Sequence, residues 1–253
     1  MNSDNGLKKT IRDCDFVIEL VDARCPLIYH YPSLTTYCKN FEKEFLVVVT
    51  KCELIPDYFK KKIAKKFNEE GINTMFVSSK VKEGILRLAS FLKSKATDQQ
   101  IKVLIFGLPN AGKSTLANAL IRRHSAGTSP IPGHTKGIQY LKMSKKVMLW
   151  DTKGATQIKK KYSDIEQALF SKKHEKVYFL IQKLLEVNNG NLRTYGIDIN
   201  ECKKDADLFM DLFAKQKKFI FKNNIYDIKR VKEKIISDWN KGKLTGWWID
   251  SYE

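Results

Sequence analysis

Short apolar runs separated by polar segments fill the first 150 residues. Runs of this length are typical of buried strands, and the amphipathic stretches between them are typical of helices. We predict strands at 16–21, 45–49, 74–77, 101–106, 138–143 and 146–150, the last two forming a hairpin. We predict helices at 56–70, 82–93 and 113–123, and a loop at 22–32. Alternating strands and helices indicate an α/β fold with a mostly parallel sheet covered on both faces.

From about residue 162 the pattern becomes helical throughout. The periodic segments are DIEQALF, VYFLIQKLLEV, DADLFMDLFAKQ and IKRVKEKIISDW. We therefore predict two domains, an α/β domain over residues 1–158 and a small α-helical domain over residues 159–253.

Composition narrows the class of protein. The 253 residues are 43% hydrophobic and 29% charged, which is typical of a globular chain. No apolar run reaches the length of a membrane-spanning helix, and the first residues lack the apolar core of a signal peptide. The five cysteines are odd in number and show no zinc-ligand spacing, so we expect a reducing, cytoplasmic compartment.

The net charge of +18 is unevenly distributed. Residues 1–100 carry a net +4 and residues 156–253 a net +6. Residues 101–158 hold nine basic side chains and a single acid, Asp151. A basic surface attracts polyanions, and a segment this poor in carboxylates is expected to face phosphate.

A phosphate-binding loop follows the strand predicted at 101–106. The segment Gly107-Leu108-Pro109-Asn110-Ala111-Gly112-Lys113-Ser114 matches GxxxxGK[ST] and precedes a predicted helix. Backbone N–H groups of such a loop and the helix N-terminus hold phosphates. We expect Lys113 on the β- and γ-phosphates, Ser114 on Mg²⁺, and Thr115 beside the ligand. The loop predicts a nucleoside triphosphate without specifying its base, so a P-loop ATPase remains an alternative.

Two other segments are candidates for reading the base. A guanine site needs a carboxylate that accepts two N–H bonds and a lysine whose stem covers the ring. In the segment Thr50-Lys51-Cys52-Glu53, after the strand at 45–49, Glu53 can be this carboxylate and Lys51 this lysine. Ser78-Ser79-Lys80 follows the next strand and can surround the base carbonyl.

Downstream residues complete a candidate magnesium site. Thr135, in the segment Pro-Gly-His-Thr at 132–135, and Asp151, after the strand at 146–150, are expected to act with Ser114 on Mg²⁺. Gly154 can offer its N–H to the γ-phosphate.

These five segments resemble the five motifs of Ras-like GTPases in a rotated order. The base-reading pair precedes the phosphate loop, as in the circularly permuted GTPases, and the chain most closely resembles the ribosome biogenesis GTPase A (YlqF-type) family. The segments that support this resemblance are VDAR at 21–24 with Pro26, the phosphate loop, PGHTKGIQ at 132–139 and DWNKGKL at 238–244.

The resemblance implies a GTPase that uses GTP and Mg²⁺, with Lys113, Thr135 and Asp151 in catalysis. It also implies a monomeric assembly factor whose helical domain docks on ribosomal RNA of the large-subunit precursor. Lysines suited to RNA are accompanied by three tryptophans, of which Trp239 is expected in the core. The set is Lys159–Lys161, Lys172, Lys173, Lys229, Arg230, Lys241 and Lys243, with Trp239, Trp247 and Trp248.

Several positions depart from the family pattern. Thr50 and Glu53 replace the Asn and Asp of Asn-Lys-x-Asp, Lys153 replaces a Pro, and the family's N-terminal Trp-Phe-Pro-Gly-His segment does not occur. Ala155 stands where many GTPases have a water-orienting Gln, so we expect slow hydrolysis that the ribosomal particle stimulates.

Three expectations follow from this pattern. His134 is a candidate substitute for the missing Gln. Asn110 resembles the residue that supports K⁺ binding in related GTPases, with a simple loop hydrogen bond as the alternative. A non-hydrolysing, nucleotide-switched RNA- or protein-binding module is the alternative function.

Overall fold

A computed structural model describes residues 3–122, 138–152, 163–170, 176–202 and 204–249. The chain divides into two compact units, Met1–Lys160 and Lys161–Glu253. The predictions for His134, Thr135, Gly154 and Ala155 lie outside the described residues, as do those for Lys159–Lys161, Lys172 and Lys173.

A six-stranded sheet forms the centre of the described part of the first unit. Its spatial order is β3-β2-β1-β4-β6-β5, parallel except for the antiparallel β5–β6 pair. The predicted mostly parallel α/β fold and the hairpin are therefore confirmed. The strands are Phe16–Asp22 (β1), Glu44–Thr50 (β2), Thr74–Phe76 (β3), Ile101–Gly107 (β4), Ile138–Lys142 (β5) and Val147–Thr152 (β6).

The helices of the first unit correct one sequence prediction. The described helices are Ser3–Asp13 (α1), Pro26–Tyr29 (α2), Pro32–Asn40 (α3), Asp57–Glu69 (α4), Ile85–Lys95 (α5) and Lys113–Arg122 (α6). The loop predicted at 22–32 was wrong in part, because α2 lies within it and α3 begins at its end. Pro26 and Pro32 are the first residues of these helices. The backbone N–H that proline lacks has no partner in the first turn of a helix, so the two prolines indicated helix starts rather than a loop. Helices α1 and α3 were not predicted.

Helices cover both faces of the sheet. Leu7 and Ile11 of α1 pack with Val17, Phe106 and other buried residues in one cluster on one face. Successive strand residues point to opposite faces. Phe16 accordingly meets Phe91 of α5 on the other face, with the ring centroids 5.8 Å apart.

The order of the strands creates a crevice between β1 and β4. From β1 the chain runs outward through β2 and β3, and then returns to the other side of β1 as β4. The carboxyl ends of parallel strands at such a reversal point are where ligands bind in open α/β sheets. Asp22, Thr50, Gly107 and Asp151 all end or follow strands at this edge.

The described part of the second unit is helical. Its helices are Asp164–Phe170 (α7), Val177–Val187 (α8), Ala206–Lys217 (α9) and Ile228–Asn240 (α10). Asp205 caps α9 by accepting from the N–H groups of Asp207 and Leu208, and Asp227 caps α10 by accepting from Arg230 N–H.

Two of the three tryptophans proposed for RNA belong to the core of this unit. Trp239 is fully buried, as predicted, and Trp248 is 4% exposed. Their ring centroids lie 5.8 Å apart. Trp248 is therefore a packing residue rather than a stacking surface, and Trp247 is half-buried.

The cysteines are all free and buried. Burial raises the pKa of the Cys14, Cys38 and Cys52 thiols to about 12, so these thiols stay protonated at neutral pH. Across the described ranges, every helix is too short or too polar to cross a bilayer.

Candidate functional site

The phosphate loop depends on its glycines for its shape. A Cβ on Gly107 would lie 3.0 Å from the Leu20 carbonyl oxygen, so a side chain there would push the loop away from β1. Gly112 has a φ of +95°, which L side chains rarely adopt. The loop can therefore sit directly over the crevice between β1 and β4.

Lys113 is held by the loop that precedes it. Its Nζ donates to the carbonyl oxygens of Gly107 at 2.6 Å and Leu108 at 3.1 Å. Burial lowers the pKa of Lys113, and the charge of Asp151 opposes that shift. The half-buried Lys113 ammonium can exchange these two carbonyls for phosphate oxygens, which bind a cation more strongly.

Ser114 of α6 and Asp151 of β6 meet beside the end of β4. The Ser114 hydroxyl lies 3.1 Å from Asp151 Oδ2, and Asp151 is 1% exposed at the end of β6. Mg²⁺ prefers oxygen ligands and is commonly held by a P-loop hydroxyl and a carboxylate. The pair therefore fits a magnesium ion bound together with nucleotide phosphates.

The base-side segment is tied to the phosphate loop by two side chains. The Thr50 hydroxyl donates to the Ala111 carbonyl oxygen at 2.8 Å, and Lys51 Nζ donates to the Asn110 carbonyl oxygen at 3.0 Å. Lys51 and Asn110 both have left-handed backbones, with φ of 56° and 64°. Thr50, noted in the sequence as a departure from Asn, thus fixes the loop backbone.

Asp22 and Arg24 form a buried ion pair behind Lys51. Arg24 donates to both Asp22 oxygens, from Nε at 3.0 Å and from a terminal nitrogen at 2.8 Å, and both side chains are fully buried. Lys51 Nζ donates to the same carboxylate at 2.7 Å. Burial alone would raise the pKa of Asp22, but the charges of Arg24 and Lys51 outweigh it and hold that pKa well below its usual range.

Asp22 and Arg24 were not predicted as site residues. In the sequence they belong only to the segment VDAR, which supports the family resemblance. An Asp at the end of a strand that is mostly apolar, with an Arg two residues later, was the available signal, because buried charges are almost always paired.

Glu53, two residues after Lys51, has an acceptor without a partner in the described part of the chain. It lies in the 3-10 turn Cys52–Leu54, and its Oε2 is buried with no hydrogen-bond partner among the described residues. A buried acceptor without a partner is costly, so its position favours a ligand that donates to it. Cys52, which the sequence placed beside the base, is fully buried.

Ser78, Ser79 and Lys80 form the turn after β3. Ser78 is fully buried, and its hydroxyl accepts from Val81 N–H at 3.2 Å while its own N–H donates to the Glu83 carbonyl oxygen at 3.0 Å. Ser79 is half-buried and Lys80 is exposed. Ser78 therefore holds the turn, and Ser79 and Lys80 are the members with surface available to a base.

Asn110 and Thr115 are both exposed on the phosphate loop and the first turn of α6. Their exposure leaves them accessible to a nucleotide. The described residues thus bring the predicted base segment, phosphate loop and Asp151 to one edge of the sheet.

Comparison with known proteins identifies the family. The sequence profile of the RsgA GTPase family matches residues 33–160, half of the chain. The chain belongs to the RsgA GTPase family. The profile described as 50S ribosome-binding GTPase matches residues 102–222. The predicted kinship with circularly permuted GTPases is therefore confirmed.

Curated relatives of this RsgA-type GTPase carry ribosome-related or GTP-binding names. An uncharacterized GTP-binding protein of Methanocaldococcus jannaschii is 29% identical over 96% of the chain and 66% of the relative. Nucleolar GTP-binding protein 2 of Saccharomyces cerevisiae is 30% identical over 97% and 52%. Ribosome biogenesis GTPase A of Bacillus cereus is 26% identical over 91% and 84%. The chain thus spans about half to two thirds of the length of the first two.

A solved structure shares the fold. The GNP-bound YlqF of T. maritima superposes with a TM-score of 0.65, covering 95% of this chain and 94% of that chain, at 22% identity. At this identity the likeness shows the fold alone.

Proposed function

We propose that this protein binds GTP with Mg²⁺ at the edge between β1 and β4 and hydrolyses it to GDP and phosphate. The observation that carries the proposal is the bond from Lys51 to the Asn110 carbonyl oxygen. It makes the base-side segment and the phosphate loop a single structure, so one nucleotide can span both. Glu53, with its unpartnered buried oxygen, then accepts from the guanine N–H groups.

Each phosphate-side residue has a definite part in this proposal. Lys113 binds the β- and γ-phosphates, and Ser114 and Asp151 hold Mg²⁺ together with Thr135. The Gly154 N–H is assigned to the γ-phosphate from the sequence alone. Bound Mg²⁺ supplies charge neutralisation for phosphoryl transfer. The protein's own contribution is positioning, since this reaction needs little covalent chemistry.

The large-subunit precursor is the proposed partner. Support comes from the names of the relatives, ribosome biogenesis GTPase A and nucleolar GTP-binding protein 2, and from the family description 50S ribosome-binding GTPase. The net charge of +18 favours a ribosomal RNA surface. Because Ala155 has no group that can orient water, hydrolysis is slow alone and accelerates on the particle.

The first experiment compares nucleotides. Fluorescent GTP and ATP analogues are titrated into the protein and into Lys113→Ala, with and without Mg²⁺. We expect preference for GTP, dependence on Mg²⁺, and loss of binding in the variant. Equal affinity for ATP would replace this proposal with that of a P-loop ATPase.

The second experiment measures phosphate release with and without large-subunit precursors, in potassium and in sodium salts. We expect the particle to raise the rate, and a further rise in potassium if Asn110 supports that ion. Nucleotide-dependent co-sedimentation without any phosphate release would favour a non-hydrolysing switch. The expectations of a monomer and of a cytoplasmic location stay predictions.

A further inference from the structure

A tight hairpin, residues 219–226, joins α9 to α10 and is here named the tip segment. Phe221 N–H donates to the Ile225 carbonyl oxygen at 2.8 Å, and Asn224 N–H donates to the Phe221 carbonyl oxygen at 3.0 Å. Asp227 N–H donates to the Phe219 carbonyl oxygen at 2.8 Å. These bonds give the tip segment a defined backbone shape.

The tip segment displays apolar side chains to water. Ile220, Phe221 and Ile225 are 42%, 54% and 59% exposed, and they are three of the seven large hydrophobic side chains exposed in the described ranges. Phe219, by contrast, packs against Phe213 and lies 4.3 Å from the Arg230 guanidinium carbon. A concentrated apolar patch on a surface commonly marks an interaction site.

Cations surround this patch along the chain. Residues 212–232 contain one acid, Asp227, and its Oδ1 accepts from Arg230 N–H at the start of α10. The basic residues of the same stretch are Lys215, Lys217, Lys218, Lys222, Lys229, Arg230 and Lys232. Such a local excess of positive charge favours a polyanionic partner.

The exposed apolar side chains and the neighbouring cations together distinguish between three kinds of partner. Protein interfaces are depleted in lysine, which here adjoins the apolar side chains directly. Membrane-surface binding relies on the long apolar face of a helix, whereas the tip segment offers three side chains on a turn. Exposed aromatic rings among cations are typical of surfaces that bind single-stranded nucleic acid, because bases stack on the ring and phosphates meet the cations.

We propose that the tip segment binds single-stranded RNA, with a base stacked on Phe221 and neighbouring phosphates on Lys218 and Lys222. The proposal rests on the ribosomal RNA partner suggested above and deepens it by naming the surface and the form of the RNA.

The test uses the full chain and fluorescently labelled oligoadenylate, with duplex RNA of equal length for comparison. Phe221→Ala weakens oligoadenylate binding about tenfold, since stacking on an aromatic ring is worth about 1.4 kcal/mol or more per base. Phe221→Leu, which keeps an apolar side chain, loses as much, and Phe221→Trp retains binding. Leu208→Ala is the matched control, because Leu208 is a 37% exposed apolar residue on α9 outside the tip segment.

Lys222→Gln reduces the slope of log affinity against log salt by about 0.7, the contribution of one phosphate contact to a single strand. All these variants leave GTP binding unchanged, which separates a failure of the tip from a failure of the nucleotide site.

If the parent protein binds oligoadenylate and Phe221→Ala binds it equally well, the tip proposal is overturned and the RNA partner stays in place. No binding by the parent protein overturns both. Full activity of Phe221→Leu, or stronger binding to phosphatidylserine vesicles than to RNA, overturns stacking in favour of a purely apolar contact.

Discussion

Asp22→Asn tests whether the buried ion pair behind Lys51 organises the nucleotide site. The substitution keeps the size of the side chain and removes its charge. Arg24 then stays fully buried without its counter-ion, and Lys51 loses the carboxylate 2.7 Å from its Nζ. Breaking one partner of a buried pair costs about 3–5 kcal/mol of the free energy of unfolding.

That cost is large enough to measure in two ways. A domain of this size loses about 2–4 °C in Tm for each kcal/mol of destabilisation. The Tm measured by circular dichroism is therefore expected to fall by about 10 °C. GDP affinity is expected to fall about tenfold, because Lys51 keeps only one of its two anchors on the site. Asp57→Asn is the control: Asp57 is 88% exposed beside Lys60, and its loss costs at most about 0.5 kcal/mol.

A double-mutant cycle with Arg24→Met distinguishes loss of the ion pair from a general loss of packing. If the pair acts as a unit, the Asp22→Asn/Arg24→Met double variant is less destabilised than the sum of the single variants, by about 2 kcal/mol. Single effects that add to within about 0.5 kcal/mol would show that the two residues act independently, and the reasoning would fail.

Three further predictions use other parts of the first unit. We expect Glu53→Ala to remove the preference for GTP over ATP in competition titrations and Glu53→Asp to retain it, because the proposed contact with guanine needs a carboxylate. Ser114→Ala weakens the Mg²⁺ dependence of GTP binding, measured by titrating Mg²⁺ at fixed nucleotide, and leaves binding without metal unchanged. His30 Nδ1 lies 2.7 Å from the buried Glu19 carboxylate, and although burial lowers the pKa of His30, Glu19 outweighs it and raises that pKa above 6.5. The stabilisation is therefore fully present below about pH 6.5 and is lost as pH rises through the raised pKa, so urea midpoints fall as the pH rises above about 6.5, and Glu19→Gln flattens this fall.

The sequence predicted the parts of the site that carry a motif. The loop ending in Lys113-Ser114 and the acid at 151 were found because their residue types recur at a fixed spacing after a strand. The strands were found because all seven residues of β1 and most of β2 and β4 are buried, which leaves an apolar run in the sequence.

What the sequence missed depends on contacts between distant segments. The Asp22 carboxylate becomes part of the site only because β1 pairs with β2 in a register that sets Asp22 beside Thr50. Helix α3 escaped prediction because its amphipathic pattern is weak and its first residue, Pro32, follows Pro26 in a segment that resembles a loop. Trp248 was misassigned because an aromatic ring next to lysines can belong either to a core or to a surface, and only packing decides.

The contacts of the site suggest where its two halves differ in their response to nucleotide. On the base side, Thr50 and Lys51 already bond to the phosphate-loop backbone, and Asp22 fixes Lys51 further, so binding a guanine there requires little ordering. On the phosphate side, Lys113 must exchange the Gly107 and Leu108 carbonyls for phosphate oxygens. Since GDP and GTP share the base and differ in the γ-phosphate, we expect the base side to set the affinity common to both nucleotides. The rearrangement at Lys113 and Asp151 then carries the difference between the two nucleotide states.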